Sequence, residues 1–177
     1  MTVRTADPGD HARVRAVLLA AFDDDVPARL VDRLRRDPGA VVAGFEFVAE
    51  FDGAVVGHTM LSRVPVDGDR PFTALNLTPL AVAPDRRRRG IGRRLVEHAL
   101  AVVEQDGRFP LVVLEGDPRH YLRYGFRRAS EAGLQRPSPA IPDEAFQYRP
   151  LAGHDPAGHR GRVVYPEVFH ELGAVGP

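Results

Sequence analysis

The sequence of 177 residues contains no cysteine. It therefore cannot form a disulfide bond, a thiolate metal site or a cysteine nucleophile. Lysine is absent as well, so all 24 Lys+Arg side chains are arginine. Because a Walker-type phosphate loop depends on its lysine, this class of nucleotide-binding protein is excluded.

The sequence also lacks long apolar runs and an excess of either charge. No stretch approaches the ~20 apolar residues of a membrane-spanning helix, and the start of the chain, MTVRTADPGD, has no apolar segment of the kind found in signal peptides. The formal net charge is +0, whereas dedicated nucleic-acid binders usually carry a basic excess. We expect a cytoplasmic protein with a single domain over residues 1–177, as a monomer or homodimer, with no membrane or nucleic-acid partner.

The spacing of apolar residues predicts two helices followed by antiparallel strands. Apolar residues recur at helical spacing over Val14–Phe22 and again over Leu30–Leu34. The period then changes to two over Phe45–Phe51, and Asp52-Gly53 is a strong hairpin signal. A meander is completed by strands over Ala54–Val66 and Thr73–Ala83.

A parallel pair of strands is predicted next. The strand Thr73–Ala83 is followed by a helix whose apolar face runs from Ile91 to Val103, and then by the apolar run Leu111–Leu114. Strand, helix and strand in this order form a crossover unit with parallel strands. The last third of the chain predicts a helix over Asp117–Tyr124 and strands over Phe126–Arg128, Phe146–Leu151 and Arg162–Phe169.

The segment between the central strand and its helix has the features of an anion-binding turn. Arg86–Arg89 and Gly90-Ile91-Gly92 directly precede an amphipathic helix. The first turn of a helix has unpaired N–H groups and a positive dipole end, and glycine allows close approach of a phosphate. A solvated arginine loop is the alternative for this segment.

This segment resembles the acetyl-CoA signature of the GNAT superfamily of N-acetyltransferases. Arg87, Gly90 and Gly92 match the family pattern Gln/Arg-x-x-Gly-x-Gly/Ala, and Leu80 and Val82 match the strand before it. The resemblance implies acetyl-CoA as cosubstrate and an amine as acceptor. It also implies an α/β (α+β) fold, in which a central mixed β-sheet has antiparallel N-terminal strands and a parallel splayed pair, with helices on both faces.

The resemblance implies a cofactor site in two parts. Backbone amides of the turn would hold the pyrophosphate, and the edge of the central strand would pair with the pantetheine arm and the thioester carbonyl. The cofactor-binding residues implied are Leu80, Ala81, Val82, Arg87, Arg88, Arg89, Gly90, Ile91, Gly92, Arg93 and Tyr121.

A second segment, Gly116–Phe126, is similar to a bacterial branch of the same superfamily with the ending Gly-Asp-Pro-x-x-Tyr-x-Arg-Phe-Gly-Phe. Here Tyr124 replaces the more usual phenylalanine. The resemblance gives Tyr121 the role of protonating the departing CoA thiolate, and the alternative is an aromatic packed at a helix end. The segments Ala145–Gln147 and Gly161–Phe169 also resemble the tail of that branch.

The general base is less defined than the proton donor. The central strand has no carboxylate, and its polar residues are Asn76 and Thr78, which could orient a water or a substrate. Glu115, where the next parallel strand ends, is the candidate base, and a structural carboxylate holding a loop amide is the alternative.

Other polar groups have simpler interpretations. Glu46 and Glu50 alternate with phenylalanines and predict a polar sheet face. Asp23–Asp25 could attract a cationic amine, but a solvated loop is the simpler interpretation. The seven histidines, including His154 and His159, lack metal-binding spacing, so no metal site is predicted.

The sequence leaves alternatives to an acetyl-CoA-dependent N-acetyltransferase. A non-catalytic acyl-CoA-binding or sensor module would keep the cofactor site but catalyse no reaction. An RNA-associated protein would use Arg86–Arg94 as a phosphate-binding strip, although net neutrality weighs against it.

Overall fold

The computed structural model describes residues 1–154 and 158–175. Its α-helices are α1 (His11–Ala21), α2 (Val26–Leu34), α3 (Ile91–Asp106), α4 (Pro118–Tyr121) and α5 (Glu167–Glu171). Its strands are β1 (Thr2–Thr5), β2 (Glu46–Phe51), β3 (Ala54–Asp67), β4 (Phe72–Val82), β5 (Leu111–Glu115), β6 (Arg127–Arg128), β7 (Leu134–Gln135), β8 (Phe146–Pro150) and β9 (Gly161–Val163).

The chain divides into two compact units. The first comprises Met1–Ser62 and Leu77–Val102, and the second comprises Arg63–Asn76 and Val103–Pro177. Strands β3 and β4 each contribute residues to both units.

In the first unit, β2 pairs antiparallel with β1 and with β3. The turn between β2 and β3 has positive φ at both central residues, 50° at Asp52 and 76° at Gly53. This is the backbone of a type I′ hairpin turn, whose twist matches that of the flanking strands. The hairpin predicted from Asp52-Gly53 is therefore present at that position.

Helices α1 and α2 bury most of the apolar faces that their sequence spacing predicts. Phe22 is the exception, because it lies beyond the end of α1 and is 37% exposed. The 3-10 turn before α1 begins at Asp7, which accepts a hydrogen bond from Gly9 and forms a capping box with Asp10. The buried cluster of this unit contains residues from α1, α2 and the sheet: Val14, Val17, Leu18, Ala28, Val31, Val48, Val55 and Ala81.

In the second unit, β4 and β5 form the predicted parallel pair through Leu75 with Val112 and Asn76 with Val113. β5 also pairs antiparallel with β8, which pairs antiparallel with β6. Leu111–Leu114 are at most 2% exposed, as expected for a strand covered on both faces. The mixed sheet, in which β7 and β9 also pair in parallel, confirms the fold class predicted from the sequence.

The prediction for the last strand was wrong in its extent. β9 ends at Val163, and the residues from Glu167 form α5 instead. Pro166 explains the change, because it has no N–H for a strand ladder and stands as the N-cap of α5. Its carbonyl accepts the N–H of Phe169 at 3.0 Å.

Candidate active site

In the first unit, the turn between β4 and α3 changes backbone direction within a few residues. The Ala83 N–H donates to Val56 O at 2.9 Å, which fixes the end of β4. Positive φ angles follow, 61° at Arg88 and 77° at Gly90. The first helical hydrogen bond of α3 runs from the Arg94 N–H to Gly90 O, at 3.1 Å.

The start of α3 is suited to an anion. The N–H groups at the start of a helix have no carbonyl partner within the helix, and here they belong to Ile91, Gly92 and Arg93. Gly90 precedes them and has no side chain that could accept their hydrogen bonds. Together with the helix dipole, these donors can bind a phosphate group.

The two glycines of the turn differ in what an added side chain would meet. Gly90 has a left-handed backbone that side-chain-bearing residues rarely adopt, although nothing lies within 4 Å of a Cβ built there. A Cβ on Gly92 would make ordinary contacts, 3.6 Å from Val82 Cγ2 and 3.9 Å from Leu80 Cδ2. The packing of the chain itself therefore does not require a glycine at position 92.

These contacts bring together several residues that the sequence predicts as cofactor-binding. The side chains of Leu80 and Val82 lie next to Gly92 at the start of α3, while Ala81 is only 2% exposed and belongs to the core. Arg88 and Arg89 are exposed. Arg93 is also exposed and forms an ion pair with Glu97 at 3.4 Å.

Arg87, the first residue of the predicted signature, makes contacts within the chain. Its Nη2 donates to Ala21 O, the last residue of α1, at 2.6 Å. Its Nε lies 3.5 Å from Val82 O. Arg87 thus stabilises the turn and the end of α1, where a cation suits the free carbonyls.

Arg86 lies beside an aromatic ring rather than on the turn. Its guanidinium is 5.2 Å from the centre of the Phe51 ring, and its Nε is 3.1 Å from Asp85 Oδ2. The cleft beside it measures about 220 Å³ and is cationic, with the lining residues Met1, Phe51, Arg86, Arg89, Ile91 and Arg94.

In the second unit, Gly116 connects the two predicted catalytic residues. It follows Glu115 at the end of β5, and a Cβ built on it would lie only 2.4 Å from Cε2 of Tyr121. The Gly116 N–H donates to Ala145 O at 3.0 Å, and its carbonyl accepts Gln147 Nε2 at 3.1 Å. The Tyr121 ring therefore packs directly on the backbone next to Glu115.

Tyr121 is a buried phenol that stays protonated. It ends α4, a short helix capped by Asp117, whose side chain accepts the Arg119 N–H at 2.9 Å. Burial, with a smaller effect from Tyr124, raises the pKa of Tyr121 to about 12. At neutral pH its hydroxyl can donate a proton but cannot act as a base.

Glu115 has a partner that the sequence did not predict. The Tyr165 hydroxyl donates to Glu115 Oε1 at 2.8 Å, and Tyr165 is also hydrogen-bonded to the side chain of Asn76. Burial, and then the neighbouring Glu115 carboxylate, raise the pKa of Tyr165 well above its ordinary value. Tyr165 and Gln147 both lie in tail segments whose resemblance pointed to no individual role.

The polar sheet face predicted at Glu46 is instead part of a buried cluster. The Glu46 carboxylate accepts hydrogen bonds from His58 Nε2, at 2.9 Å, and from Arg35. Burial acts to raise the pKa of Glu46, but the hydrogen bonds from His58 and Arg35 outweigh it and lower that pKa to about 2. Glu50, by contrast, is half-buried and pairs with Arg4 at 2.9 Å.

Neither a metal-binding cluster nor a membrane-spanning helix occurs in the described residues. Within residues 1–154 and 158–175, no group of three or more His, Asp or Glu side chains is arranged to hold a metal ion. None of the helices in those same ranges has the length and apolar character needed to cross a bilayer.

Comparison with known proteins identifies the family. Residues 43–128 match the family model described as an acetyltransferase (GNAT) domain. The uncharacterized N-acetyltransferase YhbS of Escherichia coli K12 is 34% identical over 97% of this chain and 100% of its own length. Mycothiol acetyltransferase of Nocardia farcinica is 38% identical over 73% of this chain and 41% of that protein.

Solved structures agree with this assignment. The crystal structure of Escherichia coli YhbS in complex with CoA has a TM-score of 0.86 at 34% identity, covering 96% of this chain and 91% of the other. A GNAT family acetyltransferase of Brucella melitensis in complex with acetyl-CoA has a TM-score of 0.74 at 28% identity, covering 95% and 97%. With its fold, its α3 turn and its nearly full-length relatives in agreement, the chain belongs to the GNAT superfamily of N-acetyltransferases.

Proposed function

We propose that this enzyme transfers the acetyl group of acetyl-CoA to a primary amine, by direct attack within a ternary complex. Membership of the GNAT superfamily supports acetyl transfer. The CoA and acetyl-CoA complexes of its structural neighbours support the cosubstrate. Because the chain has no cysteine, a thioester intermediate on the enzyme is not available.

The first unit would bind acetyl-CoA through its phosphates and its pantetheine arm. The N–H groups at the start of α3 suit the pyrophosphate, and Gly92 has no side chain that would keep it away from them. The exposed Arg88, Arg89 and Arg93 would add charge-assisted contacts to phosphate oxygens. Leu80 and Val82, which lie beside Gly92, would flank the arm, and the Val82 backbone N–H would stabilise the oxyanion.

The observation that supports the proposed catalytic residues is the end of β5. There the protonated phenol of Tyr121 packs on Gly116, the residue next to the Glu115 carboxylate. In the reaction the amine nitrogen attacks the thioester carbonyl, and the C–S bond of the tetrahedral intermediate then breaks. Glu115 would accept the proton that the amine loses, and Tyr121 would give its proton to the thiolate. Burial keeps Tyr121 protonated at neutral pH, which is the state that a proton donor requires.

The proposal is tested by measuring CoA release from acetyl-CoA with a panel of amines, amino acids, aminoglycosides and peptides. The acetylated product is identified by mass spectrometry, and thermal shift with acetyl-CoA is measured in parallel. We expect binding together with amine-dependent CoA release. Binding without release for any amine would instead favour the non-catalytic acyl-CoA sensor, and absence of binding would overturn the proposal.

A further inference from the structure

Three polar groups of the second unit form a directed chain of hydrogen bonds. Glu115 accepts the hydroxyl hydrogen of Tyr165 at 2.8 Å, and the phenol oxygen is hydrogen-bonded to Asn76. An ionised carboxylate can only accept, so the phenol hydrogen is committed to Glu115. Asn76 therefore donates to Tyr165 with its amide NH₂ group.

These hydrogen-bonded groups are buried, and burying polar groups costs free energy unless each of them is paired. Asn76 is 1% exposed and Tyr165 is 4% exposed. With the amide nitrogen turned to Tyr165, the other amide atom, Asn76 Oδ1, is buried without a hydrogen-bond partner. Such an atom marks a place where a donor from a ligand or a water completes the cluster.

Packing alone does not explain the tyrosine. Its ring stacks on Phe169 with 4.5 Å between ring centres, and a phenylalanine ring would bury the same apolar surface. The hydroxyl adds only the bonds to Glu115 and Asn76. Asn76 lies on β4 opposite Val113 of β5, so the hydroxyl of Tyr165 links the side chains of the two parallel strands.

We propose that Tyr165 is a positioning residue for acetyl transfer, whose hydroxyl, supported by Asn76, orients the ionised Glu115 carboxylate to receive the proton of the acceptor amine. This inference rests on the proposed function, in which Glu115 is the base. A hydrogen bond donated to a carboxylate favours its ionised form. It also removes the freedom of the side chain to turn away from the amine.

The test is a set of Tyr165→Phe, Glu115→Gln and the double variant, assayed with acetyl-CoA and the best amine of the panel over a range of pH. Tyr165→Phe is expected to lower kcat by roughly 10- to 100-fold and to move the acidic limb of the kcat–pH profile to higher pH. The KM for acetyl-CoA is expected to stay unchanged. In the Glu115→Gln background, Tyr165→Phe is expected to have no further effect, because it acts through Glu115.

Tyr148→Phe is the matched control, since Tyr148 is another buried tyrosine of the second unit, on β8. Its kcat and pH profile are expected to equal those of the wild type. If Tyr165→Phe does not fold, as judged by near-ultraviolet circular dichroism, Asn76→Ala provides the same test, because it removes the support of the phenol. We expect it to lower kcat and shift the acidic limb in the same direction.

The outcomes separate the two proposals. A wild type that transfers acetyl to no amine overturns the proposed function, and the inference with it. An active wild type whose kcat and acidic limb are unchanged in Tyr165→Phe, or in Asn76→Ala where that variant replaces it, overturns the inference alone. An equal loss from Tyr165→Phe in the wild-type and Glu115→Gln backgrounds also overturns it, because Tyr165 would then act independently of Glu115.

Discussion

Gly90 and Gly92 lie two residues apart, yet they respond to substitution for different physical reasons. At position 90 the backbone φ of 77° is the obstacle, whereas at position 92 the chain has room for a Cβ. A side chain at Gly90 therefore strains the folded protein by roughly 1–2 kcal/mol. A Cβ at Gly92 makes only ordinary contacts with Val82 and Leu80, and a larger side chain there would enter the space that we assign to the pyrophosphate.

We expect Gly92→Val to weaken acetyl-CoA binding while the protein remains folded. The branched side chain would stand over the N–H groups at the start of α3 and keep the phosphates away from them. Isothermal titration calorimetry measures the affinity, and thermal melting without ligand measures the fold. Gly90→Val is the comparison, and it is expected to lower the melting temperature of the unliganded protein. If Gly92→Val bound acetyl-CoA with wild-type affinity, the start of α3 would not be the phosphate site.

Tyr121→Phe is expected to lower kcat and kcat/KM together by about 10²–10⁴-fold. Acetyl-CoA affinity is expected to stay nearly unchanged, because negative charge develops on sulfur only as the C–S bond breaks. The phenylalanine ring keeps the packing on Gly116. Steady-state kinetics and equilibrium binding separate these quantities.

Tyr124→Phe is the control for this variant, since Tyr124 is a buried neighbour whose ring centre is 6.3 Å from that of Tyr121. Wild-type turnover in Tyr121→Phe would show that another group or solvent protonates the thiolate. Loss of cofactor binding would show instead that the hydroxyl has a structural role.

At the scale of elements, the Glu46 cluster links α2 to the hairpin. Arg35 follows α2, Glu46 begins β2, and His58 lies on β3. Burial, as the largest effect, lowers the pKa of His58, which favours a neutral ring. The pKa of Glu46 falls from its ordinary value of 4.5 to about 2, so its ionised form is stabilised in the folded protein.

This depressed pKa predicts a specific loss of stability in acid. The contribution is fully present above pH 4.5 and is lost as the pH falls through the range from 4.5 to about 2. Its size is on the order of 3 kcal/mol. Glu46→Gln is expected to lower stability at pH 7 and to flatten the pH dependence below pH 5, measured by urea denaturation. Glu50→Gln, on the same strand but half-buried, is the control, and equal slopes for both variants would contradict the assignment.

The sequence predicts elements whose period is clear and misses contacts between distant segments. β3 and β5 lie within one residue of their predicted bounds, and α3 begins at the predicted Ile91, because local apolar patterns and turn residues mark these positions. The Glu115–Tyr165 hydrogen bond joins residues 50 positions apart, and no local pattern reveals such a pair. Tyr165 stood within a predicted strand, and only the fold brings its hydroxyl to Glu115.

The turn between β4 and α3 was more predictable from the sequence than the surroundings of Glu115, for the same reason. The Gly90–Gly92 motif depends on a local backbone path that the residues themselves encode. The surroundings of Glu115 depend on Tyr165, which reaches it from a distant part of the second unit and is itself hydrogen-bonded to Asn76. Glu46 shows the same limit, because its alternation with phenylalanine predicted an exposed face, whereas Arg35 and His58 cover it.

At the scale of the whole molecule, we expect the two compact units to unfold together. Strands β3 and β4 each contribute residues to both units. Unfolding of either unit therefore disrupts two strands that the other unit also needs. Differential scanning calorimetry is expected to give one transition with equal calorimetric and van't Hoff enthalpies. Two separate transitions would contradict the prediction of one domain over residues 1–177.

Acetyl-CoA is expected to raise the midpoint temperature of that single unfolding transition. A ligand that binds only the folded protein stabilises it by about 2.7 kcal/mol at a hundredfold excess over its Kd. The same scans with and without acetyl-CoA measure this shift, and acetate provides the control. A shift confined to part of the transition would contradict cooperative unfolding, and no shift would contradict binding.

The hydrogen bond from Arg87 to Ala21 has a consequence for how the two substrates affect each other's binding. It links the turn between β4 and α3 to the end of α1, which one residue separates from the acidic connection Asp23–Asp25. A ligand that immobilises the turn also immobilises the start of that connection, so a second ligand that uses it loses less entropy on binding. Because such coupling is reciprocal, acetyl-CoA and an unreactive amine analogue are expected to lower each other's Kd by the same factor. Arg87→Ala is expected to bring that factor towards one, measured by calorimetric titration of each ligand with and without the other.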